Sequence, residues 1–581
     1  MLAEFRTLLP LVRRYKWHYI IGIVSLIVTS GAQLLIPQFI GRSVDILSEN
    51  TGAVDRIAVL MAAMLGTALV IAAGRLGWRF FIHGSSRRIE TELRRQLYDH
   101  LLALPPSYYQ EAKTGDLMAR ATNDMNAIRM AVGMALVAFI DGLFMTIAIL
   151  IILIGQNPRL ALYTVAPLPL ITATLILIGN RIGHLFRDVQ AGFSHMSDQA
   201  QEVLSGIRIV KVFVKEQYFL KRFADANETY QTRNMRLVRI WGLFFPLVTF
   251  LSGLTLLMLL WFGGRALLSG EISTGDFVAT LSYLQMLIWP MMGAGFTVNM
   301  LQRGAASLAR INEVLDTPPA LASPPDGRRT PPAGSVEVRN VTLTFPGMEQ
   351  PVLRNVSFTL PKGEMLGILG RTGSGKSTLV NLLPRLIEAP EQSVYVDGTD
   401  VREYDLDALR SGFGIVPQST FLFSATVAAN IAFARPEAGE AEVVHVGRLA
   451  ALDTDIDDFP DGWDTVVGER GVTLSGGQRQ RIAIARALLA DPEVLILDDA
   501  LSAVDTRTEE RILTGILAAR RGRTTVIVSN RVSTLQQAHQ ILIMDDGAVA
   551  QRGTHAQLSS EPGLYREIFL LQQQEHEKEH L

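Results

Sequence analysis

Apolar and polar positions divide the chain into two differently patterned halves. The first half alternates long apolar runs with basic, polar stretches, and about 20 apolar residues suffice for one helical membrane crossing. Six runs reach that length and predict transmembrane helices: Tyr19–Ile40, Ile57–Gly74, Ala131–Gly155, Leu160–Gly179, Ile240–Gly264 and Phe277–Met300. In the second half, short runs rich in Val, Leu and Phe alternate with helical patterns, which indicates an α/β domain.

These patterns predict a multidomain protein, with an all-α six-helix transmembrane domain followed by an α/β domain. The predicted transmembrane domain spans residues 1–316 and includes long cytoplasmic helices. Residues 317–335 contain a cluster of prolines, typical of a semi-rigid linker. The α/β domain is predicted over residues 336–572, and residues 573–581 form a polar tail.

Composition supports a membrane protein and excludes several other classes. Only 19% of the 581 residues are charged, and the mean hydropathy of +0.24 is high for a soluble protein. A net charge of −2 without a basic block argues against nucleic-acid binding. The absence of cysteine excludes disulfides and thiolate metal ligands.

Basic residues predict the orientation in the membrane. Arg13, Arg14 and Lys16 precede the first span, and the connections after the second and fourth spans are rich in Lys and Arg. Such residues concentrate on the cytoplasmic side. With six spans, both termini and the α/β domain are expected in the cytoplasm.

Ionisable residues also occur inside the predicted spans. Asp141 lies in the third span, and Arg75 and Arg79 lie near the end of the second. Unpaired charge is costly at membrane depth. A structural ion pair is therefore expected in preference to a substrate contact. Aromatic and Met residues of the last two spans, among them Met286 and Trp289, are candidates to line a substrate cavity or to face lipid.

The second half of the chain contains a candidate phosphate-binding loop. The segment Gly370-Arg371-Thr372-Gly373-Ser374-Gly375-Lys376-Ser377 follows the apolar run Met365–Leu369 and matches G-x-x-x-x-G-K-[ST] before a helix. Its backbone N–H groups can close around phosphates, Lys376 can reach the β- and γ-phosphates, and Ser377 can ligate Mg²⁺. These eight residues and Thr378 are the candidate nucleotide-binding residues.

Two further segments belong to the same chemistry. Val494–Asp498 is predicted as a buried parallel strand that ends in a carboxylate, which makes Asp498 a candidate Mg²⁺ ligand. Between it and the loop lies Leu474-Ser475-Gly476-Gly477-Gln478, ahead of a helical run from Arg479 to Leu489. This is a second Gly-rich helix start that can bind an anion.

Together these motifs resemble the ATP-binding-cassette family, in which L-S-G-G-Q lies between a P-loop and an L-I-L-D-D strand. The resemblance implies that two cassettes pair head to tail, so that each ATP lies between one P-loop and the other cassette's signature. It further implies a catalytic and Mg²⁺-binding role for Gln418, a loop before the signature at Thr465–Gly471, a D-loop contact to nucleotide by Asp505, and adenine stacking by Phe345. An ordinary strand aromatic is the alternative for Phe345.

Two positions depart from the family pattern. Asp499 stands where a glutamate polarises the attacking water, and its carboxylate is one methylene closer to the backbone. A displacement of about 1 Å in a catalytic group can cost on the order of 100-fold in rate. Asn530 stands where a histidine contacts the γ-phosphate, and an amide cannot carry a proton charge. Both departures weaken hydrolysis at this chain's own P-loop.

Six spans ahead of one cassette resemble bacterial half-transporters of the exporter type, and the run after Asp498 is most similar to multidrug-resistance-like heterodimers. The resemblance implies MgATP-driven export of amphipathic molecules across the plasma membrane. The expected partner is a second half-transporter with an intact catalytic Glu and His. The alternatives are a homodimeric exporter of lipid or peptide and a regulatory ATP-binding membrane protein.

Overall fold

The computed structural model describes residues 4–48, 54–345, 347–468 and 474–579. Two compact units emerge, the first formed by Met1–Leu102 and Lys113–Thr317 and the second by Ala103–Ala112 and Pro318–Leu581.

The first unit is helical. Single π-helical turns interrupt it at Arg79–His83, Arg120–Asp124, Ala131–Ala135 and Leu259–Gly263. Its α-helices, with α6 in the short segment assigned to the second unit, are α1 (Leu9–Arg14), α2 (Lys16–Gln33), α3 (Leu35–Ser48), α4 (Val54–Trp78), α5 (Gly84–Ala103), α6 (Pro106–Glu111), α7 (Thr114–Ala119), α8 (Met125–Met130), α9 (Leu136–Gln156), α10 (Pro158–Val165), α11 (Leu168–Ser205), α12 (Ile207–Val212), α13 (Glu216–Met258), α14 (Gly264–Leu268) and α15 (Thr274–Leu315).

Five helical segments in the described residues are long and apolar enough to cross a membrane: Lys16–Ser48, Val54–Ala103, Thr114–Gln156, Glu216–Leu268 and Thr274–Leu315. They contain five of the six predicted spans. The remaining one, Leu160–Gly179, falls on α10 and α11, which are separate helices and do not belong to this set. Six crossings therefore stay a prediction.

Hydrogen bonds connect α15 and the residue before it to α3 and to the junction between α2 and α3. The Tyr283 hydroxyl donates to the Leu34 carbonyl oxygen at 2.7 Å, and Tyr283 is fully buried. Asp45 on α3 accepts from the Gly275 N–H at 2.6 Å and from the Ser273 hydroxyl at 2.8 Å. The bond between Tyr283 and Leu34 lies within predicted spans, where an unpaired polar group would be costly in hydrocarbon.

The second unit is the α/β domain, with two sheets of order β2-β1-β4-β5 and β10-β9-β3-β8-β7-β6. Its elements are β1 (Val336–Leu343), β2 (Leu353–Leu360), β3 (Met365–Gly370), α16 (Lys376–Leu382), β4 (Val394–Val396), β5 (Thr399–Asp400), α17 (Leu406–Ser411), β6 (Phe413–Val416), α18 (Val427–Ile431), α19 (Glu440–Leu449), α20 (Asp453–Ile456), α21 (Gly476–Leu489), β7 (Val494–Asp498), α22 (Thr506–Ala519), β8 (Thr524–Val528), α23 (Val532–Leu535), β9 (Gln540–Asp545), β10 (Ala548–Gly553), α24 (His555–Ser560) and α25 (Leu564–Glu579).

The larger sheet is parallel from β9 through β3, β8 and β7 to β6, and only β10 is antiparallel to its neighbour. Strands β3, β7 and β8 are buried at every position, as expected for parallel strands covered on both faces. Helix α25 continues through most of the predicted polar tail.

Candidate functional site

The carboxyl ends of four adjacent parallel strands carry the predicted site residues. The P-loop follows β3, Asn530 follows β8, Asp498 and Asp499 end and follow β7, and Gln418 follows β6. In open parallel sheets, ligands bind at the carboxyl ends of the strands. The strand order therefore collects motifs that lie far apart in the chain.

Glycines shape the loop before α16. Gly373 and Gly375 have φ values of 86° and 90°, which L residues rarely adopt. A Cβ on Gly375 would also lie 2.8 Å from Leu353 Cδ2 and 2.9 Å from the Val352 carbonyl oxygen. The Lys376 Nζ donates back across the loop to the carbonyl oxygens of Gly370 and Arg371, at 2.7 and 2.9 Å. Backbone and side chain thus enclose a small concave space.

That space is a pocket of about 270 Å³. It brings together three of the strand-end residues, Gln418, Asp499 and Asn530, with Asp498 and much of the P-loop. Its lining consists of Val352, Thr372, Gly373, Ser374, Gly375, Lys376, Ser377, Thr378, Gln418, Asp498, Asp499, Val528 and Asn530. Gly370 and Arg371 contribute through the carbonyl oxygens that hold Lys376.

The charged groups in the pocket influence one another's pKa values. Burial raises the pKa of Asp498, a hydrogen bond from the Ser377 side chain lowers it, Asp499 raises it further and Lys376 opposes that rise. Burial lowers the pKa of Lys376, against the opposing effect of Asp499 and Asp498. A cation that joined these groups would relieve the repulsion between the two carboxylates.

Asp499 is held at both its side chain and its backbone. Its Oδ2 accepts from Gln418 Nε2 at 3.2 Å, so the two predicted catalytic positions are in direct contact. Its N–H donates to the Val528 carbonyl oxygen at 2.9 Å, and its own carbonyl oxygen accepts from the Ser502 hydroxyl at 2.9 Å. With φ at 51°, the residue occupies the left-handed region, which Asp tolerates better than most side chains. The short carboxylate is therefore fixed close to the sheet edge.

Two glutamines that the motif analysis did not single out support this site. Gln480 on α21 donates to the Asp499 carbonyl oxygen at 3.4 Å and accepts from the Ala503 N–H at 3.1 Å. Gln572 on α25 donates to the Asn530 carbonyl oxygen at 2.8 Å and accepts from the Val532 N–H at 2.9 Å. Gln572 lies at the predicted end of the domain, and no local pattern marks its role.

An ion pair links the Asn530 loop to the first turn of α22. Arg531 pairs with Glu509, whose side chain is 4% exposed, and also donates to the Val504 carbonyl oxygen at 3.3 Å. Glu509 also accepts from the Thr534 hydroxyl. Because Glu509 is buried and paired twice, it couples α22 to the loop after β8 and to α23.

Several predicted binding residues lie outside the pocket. Phe345 is half-buried after β1, and Asp505 caps α22 by accepting from the Thr508 N–H at 3.0 Å. Ser475 caps α21 in a reciprocal arrangement with Gln478. The signature residues Leu474, Ser475, Gly476, Gly477 and Gln478 thus form a capped helix start separate from this pocket. Of the predicted loop Thr465–Gly471, residues 469–471 lie outside the described part of the chain.

The pocket residues fit a magnesium nucleotide. Among the described residues, no group of three or more His, Cys, Asp or Glu side chains could hold a metal. Mg²⁺ bound with nucleotide typically uses one or two protein ligands plus phosphate oxygens, and Asp498 and Ser377 offer such a pair. The buried Ser374 hydroxyl has no hydrogen-bond partner in the described protein, which leaves a polar group in the cradle. When bound, Mg²⁺ would neutralise charge on the phosphates.

Comparison with known proteins agrees with this geometry. Residues 19–291 match the ABC transporter transmembrane region, and residues 353–502 match the ABC transporter model. The chain belongs to the ABC transporter family. The multidrug resistance-like ATP-binding protein MdlA of Escherichia coli (strain K12) is 39% identical over 97% of this chain and 95% of its own length.

Other relatives place the chain among ABC exporters. The ATP-dependent lipid A-core flippase of Vibrio cholerae is 30% identical over 98% of this chain and 97% of its own length. A bacterial Atm1-family ABC exporter, solved with ATP bound, has a TM-score of 0.79 and 26% identity, and the match covers 97% of this chain and 99% of that one. This protein is an integral membrane ABC exporter with a helical transmembrane domain and an ATP-binding cassette.

Proposed function

We propose that this chain is one half of a heterodimeric exporter that uses ATP to move amphipathic small molecules out of the cell. Its own P-loop site binds MgATP but hydrolyses it poorly. Its signature completes the hydrolytic site of a partner that supplies a catalytic Glu and His. Six spans per half, in the plasma membrane, present both cassettes to cytoplasmic ATP.

The position of Asp499 is the observation that carries this proposal. A general base must reach the attacking water within about 3 Å. The Asp499 side chain is one methylene shorter than that of glutamate. Its backbone N–H and its carbonyl oxygen are both hydrogen-bonded, and Gln418 already donates a hydrogen bond to its carboxylate. It therefore has little freedom to advance toward a γ-phosphate.

Asn530 adds a second, independent weakness at the same pocket. It lines the pocket together with residues of the P-loop, and its loop is held by Gln572. An amide can donate a hydrogen bond to a phosphate oxygen, but it cannot supply the positive charge of a protonated histidine. Binding is retained while stabilisation of the transition state is reduced.

The signature segment, unlike the pocket, carries no departure from the family pattern. Ser475 and Gln478 cap α21 reciprocally, so that the helix start presents ordered N–H groups. An intact signature beside a weakened P-loop site fits a division of labour between two different subunits. In the proposed cycle, two ATP molecules close the cassettes, the spans turn outward, and hydrolysis at the partner's site resets them.

A homodimeric lipid exporter is the second candidate, because the lipid A-core flippase matches almost the whole chain. ATPase measurements in lipid separate the two. The chain alone, the chain co-expressed with its presumed partner, and the complex carrying Asp499→Glu with Asn530→His are compared. The heterodimer predicts an inactive chain, an active complex, and added turnover from the double substitution. Equal turnover by the chain alone and by the mixture would refute it and would make Asp499 a working base.

A further inference from the structure

A large pocket lies within the transmembrane unit, bordered by α2, α3, α4 and α15. Its volume is about 960 Å³, and its surface is mainly aliphatic, with Met286 and Trp289 on one wall. Its polar lining residues are Gln33, Arg75, Arg79, Ser282 and Gln285. Pockets of about 300–1,000 Å³ with an apolar surface and a few placed polar groups are typical of small-molecule sites.

Helix packing determines why both arginines reach this pocket. Helix α4 lies close to α2 through glycines, since a Cβ on Gly77 would lie 3.0 Å from Ser25 Oγ and one on Gly74 would collide with Thr29. Arg75 and Arg79 are four residues apart, and residues at that spacing share a helix face. Beside this close glycine contact, both arginines line the pocket.

Among the described residues, these cations lack the ion pair that the sequence favoured. Asp141 accepts from the Ser30 hydroxyl, and Asp45 accepts from Ser273 and Gly275. Within the described part of the chain, neither Arg75 nor Arg79 forms a salt bridge, and no carboxylate lines the pocket. Arg79 lies over the Trp78 ring, 5.5 Å from its centroid, a contact that brings no opposite charge from this chain. Unneutralised charge in a membrane segment points to a functional role.

We propose that this pocket binds the transported substrate and that the substrate is an anionic amphiphile. Arg75 and Arg79 hold its headgroup, since guanidinium groups bind phosphate and carboxylate through paired hydrogen bonds. Trp289, which is 78% exposed in the chain, and Met286 receive its hydrocarbon portion. This inference rests on the proposed export function and names the substrate class of that function.

A matched pair of probes tests the headgroup. Hexadecyl phosphate and hexadecylphosphocholine share one alkyl chain and differ in net charge. The exporter complex in phosphatidylcholine nanodiscs is titrated with each, and native mass spectrometry measures the bound amphiphile. Hexadecyl phosphate is expected to bind about tenfold more tightly, which corresponds to about 1.4 kcal/mol.

Variants assign that preference to the two arginines. The double substitution Arg75→Gln with Arg79→Gln should abolish it, whereas the double Lys variant, which keeps the charges, should retain most of it. Arg303→Gln, on α15 but outside the pocket lining, is the matched control and should retain all of it. Equal binding of both probes to the unaltered complex, or a preference that survives the double Gln change, would overturn the proposal.

A transported substrate must also be distinguished from a resident anionic lipid. Hexadecyl phosphate should raise ATP turnover of the unaltered complex and leave the double Gln variant unstimulated. Binding without any change in turnover would overturn the assignment as a substrate site. The binding measurement needs no ATP hydrolysis. A negative binding result would therefore overturn the anionic-substrate proposal without affecting the asymmetric ATPase, and a symmetric ATPase would leave the binding result unaffected.

Discussion

A carboxylate placed at the start of α21 should silence the exporter although it leaves this chain's own nucleotide pocket untouched. Gly476 is the first residue of α21, and a Cβ there would lie 3.4 Å from the Ala503 Cβ, an ordinary contact. Asp is well tolerated in the first turn of a helix. Gly476→Asp should therefore fold. At neighbouring Gly477, by contrast, a Cβ would lie 2.8 Å from the Ala503 carbonyl oxygen and would disturb the backbone.

The expected cost follows from Coulomb's law. A unit negative charge about 5 Å from a phosphate charge, in an effective dielectric of about 20, raises the energy of the bound state by roughly 3 kcal/mol. This repulsion corresponds to about a 100-fold weakening of nucleotide binding. If the signature completes the partner's site, this repulsion acts on the ATP that is hydrolysed. Turnover of the complex should fall by about that factor, while nucleotide binding at Lys376 is retained.

The assay compares steady-state ATPase activity and 8-azido-ATP labelling of each subunit in the purified complex. Gly476→Ala is the matched control, because it adds the same Cβ without the charge and should retain most activity. An active Gly476→Asp complex would refute the inference that this signature contacts the hydrolysed nucleotide. A variant in which labelling of this chain is lost instead would locate the damage at its own site and refute the reasoning equally.

Three further outcomes follow from the site. Lys376→Ala should abolish labelling of this chain yet lower turnover less than the matching change in the partner, and equal losses in ATPase assays would contradict the asymmetry. Gln572→Ala removes two hydrogen bonds, together worth about 1–3 kcal/mol, so hydrogen exchange should quicken in the loop around Asn530, whereas unchanged exchange would show that α25 does not restrain it. Burial raises the pKa of Asp498, so its carboxylate becomes protonated at a higher pH than an ordinary Asp, whose pKa is about 4. MgATP affinity should therefore begin to decline at a higher pH on acidification than it would with an ordinary carboxylate. An unchanged pH profile of MgATP affinity in Asp498→Asn would refute this.

Local sequence patterns were sufficient for much of the cassette. The predicted strands Met365–Leu369 and Val494–Asp498 match β3 and β7 to within one residue, and the helix of the P-loop begins at Lys376 beside the predicted Ser377. Such motifs are readable because a strand, a turn and a helix start are specified by residues that are close together in the chain. The membrane half is less complete, since five of six apolar runs lie on helices that meet the length and hydropathy of a span.

Contacts between distant residues had to come from the tertiary structure. Gln572 is 42 residues from Asn530, and Gln418 is 81 residues from Asp499, so no local pattern shows that their side chains meet. Likewise, the sequence marks Arg75 and Arg79 as costly charges, but only the packing of α4 against α2 shows that they line a pocket to which the described chain contributes no carboxylate. Composition and short motifs specify the class of chemistry, whereas side-chain partners depend on which elements the fold brings together.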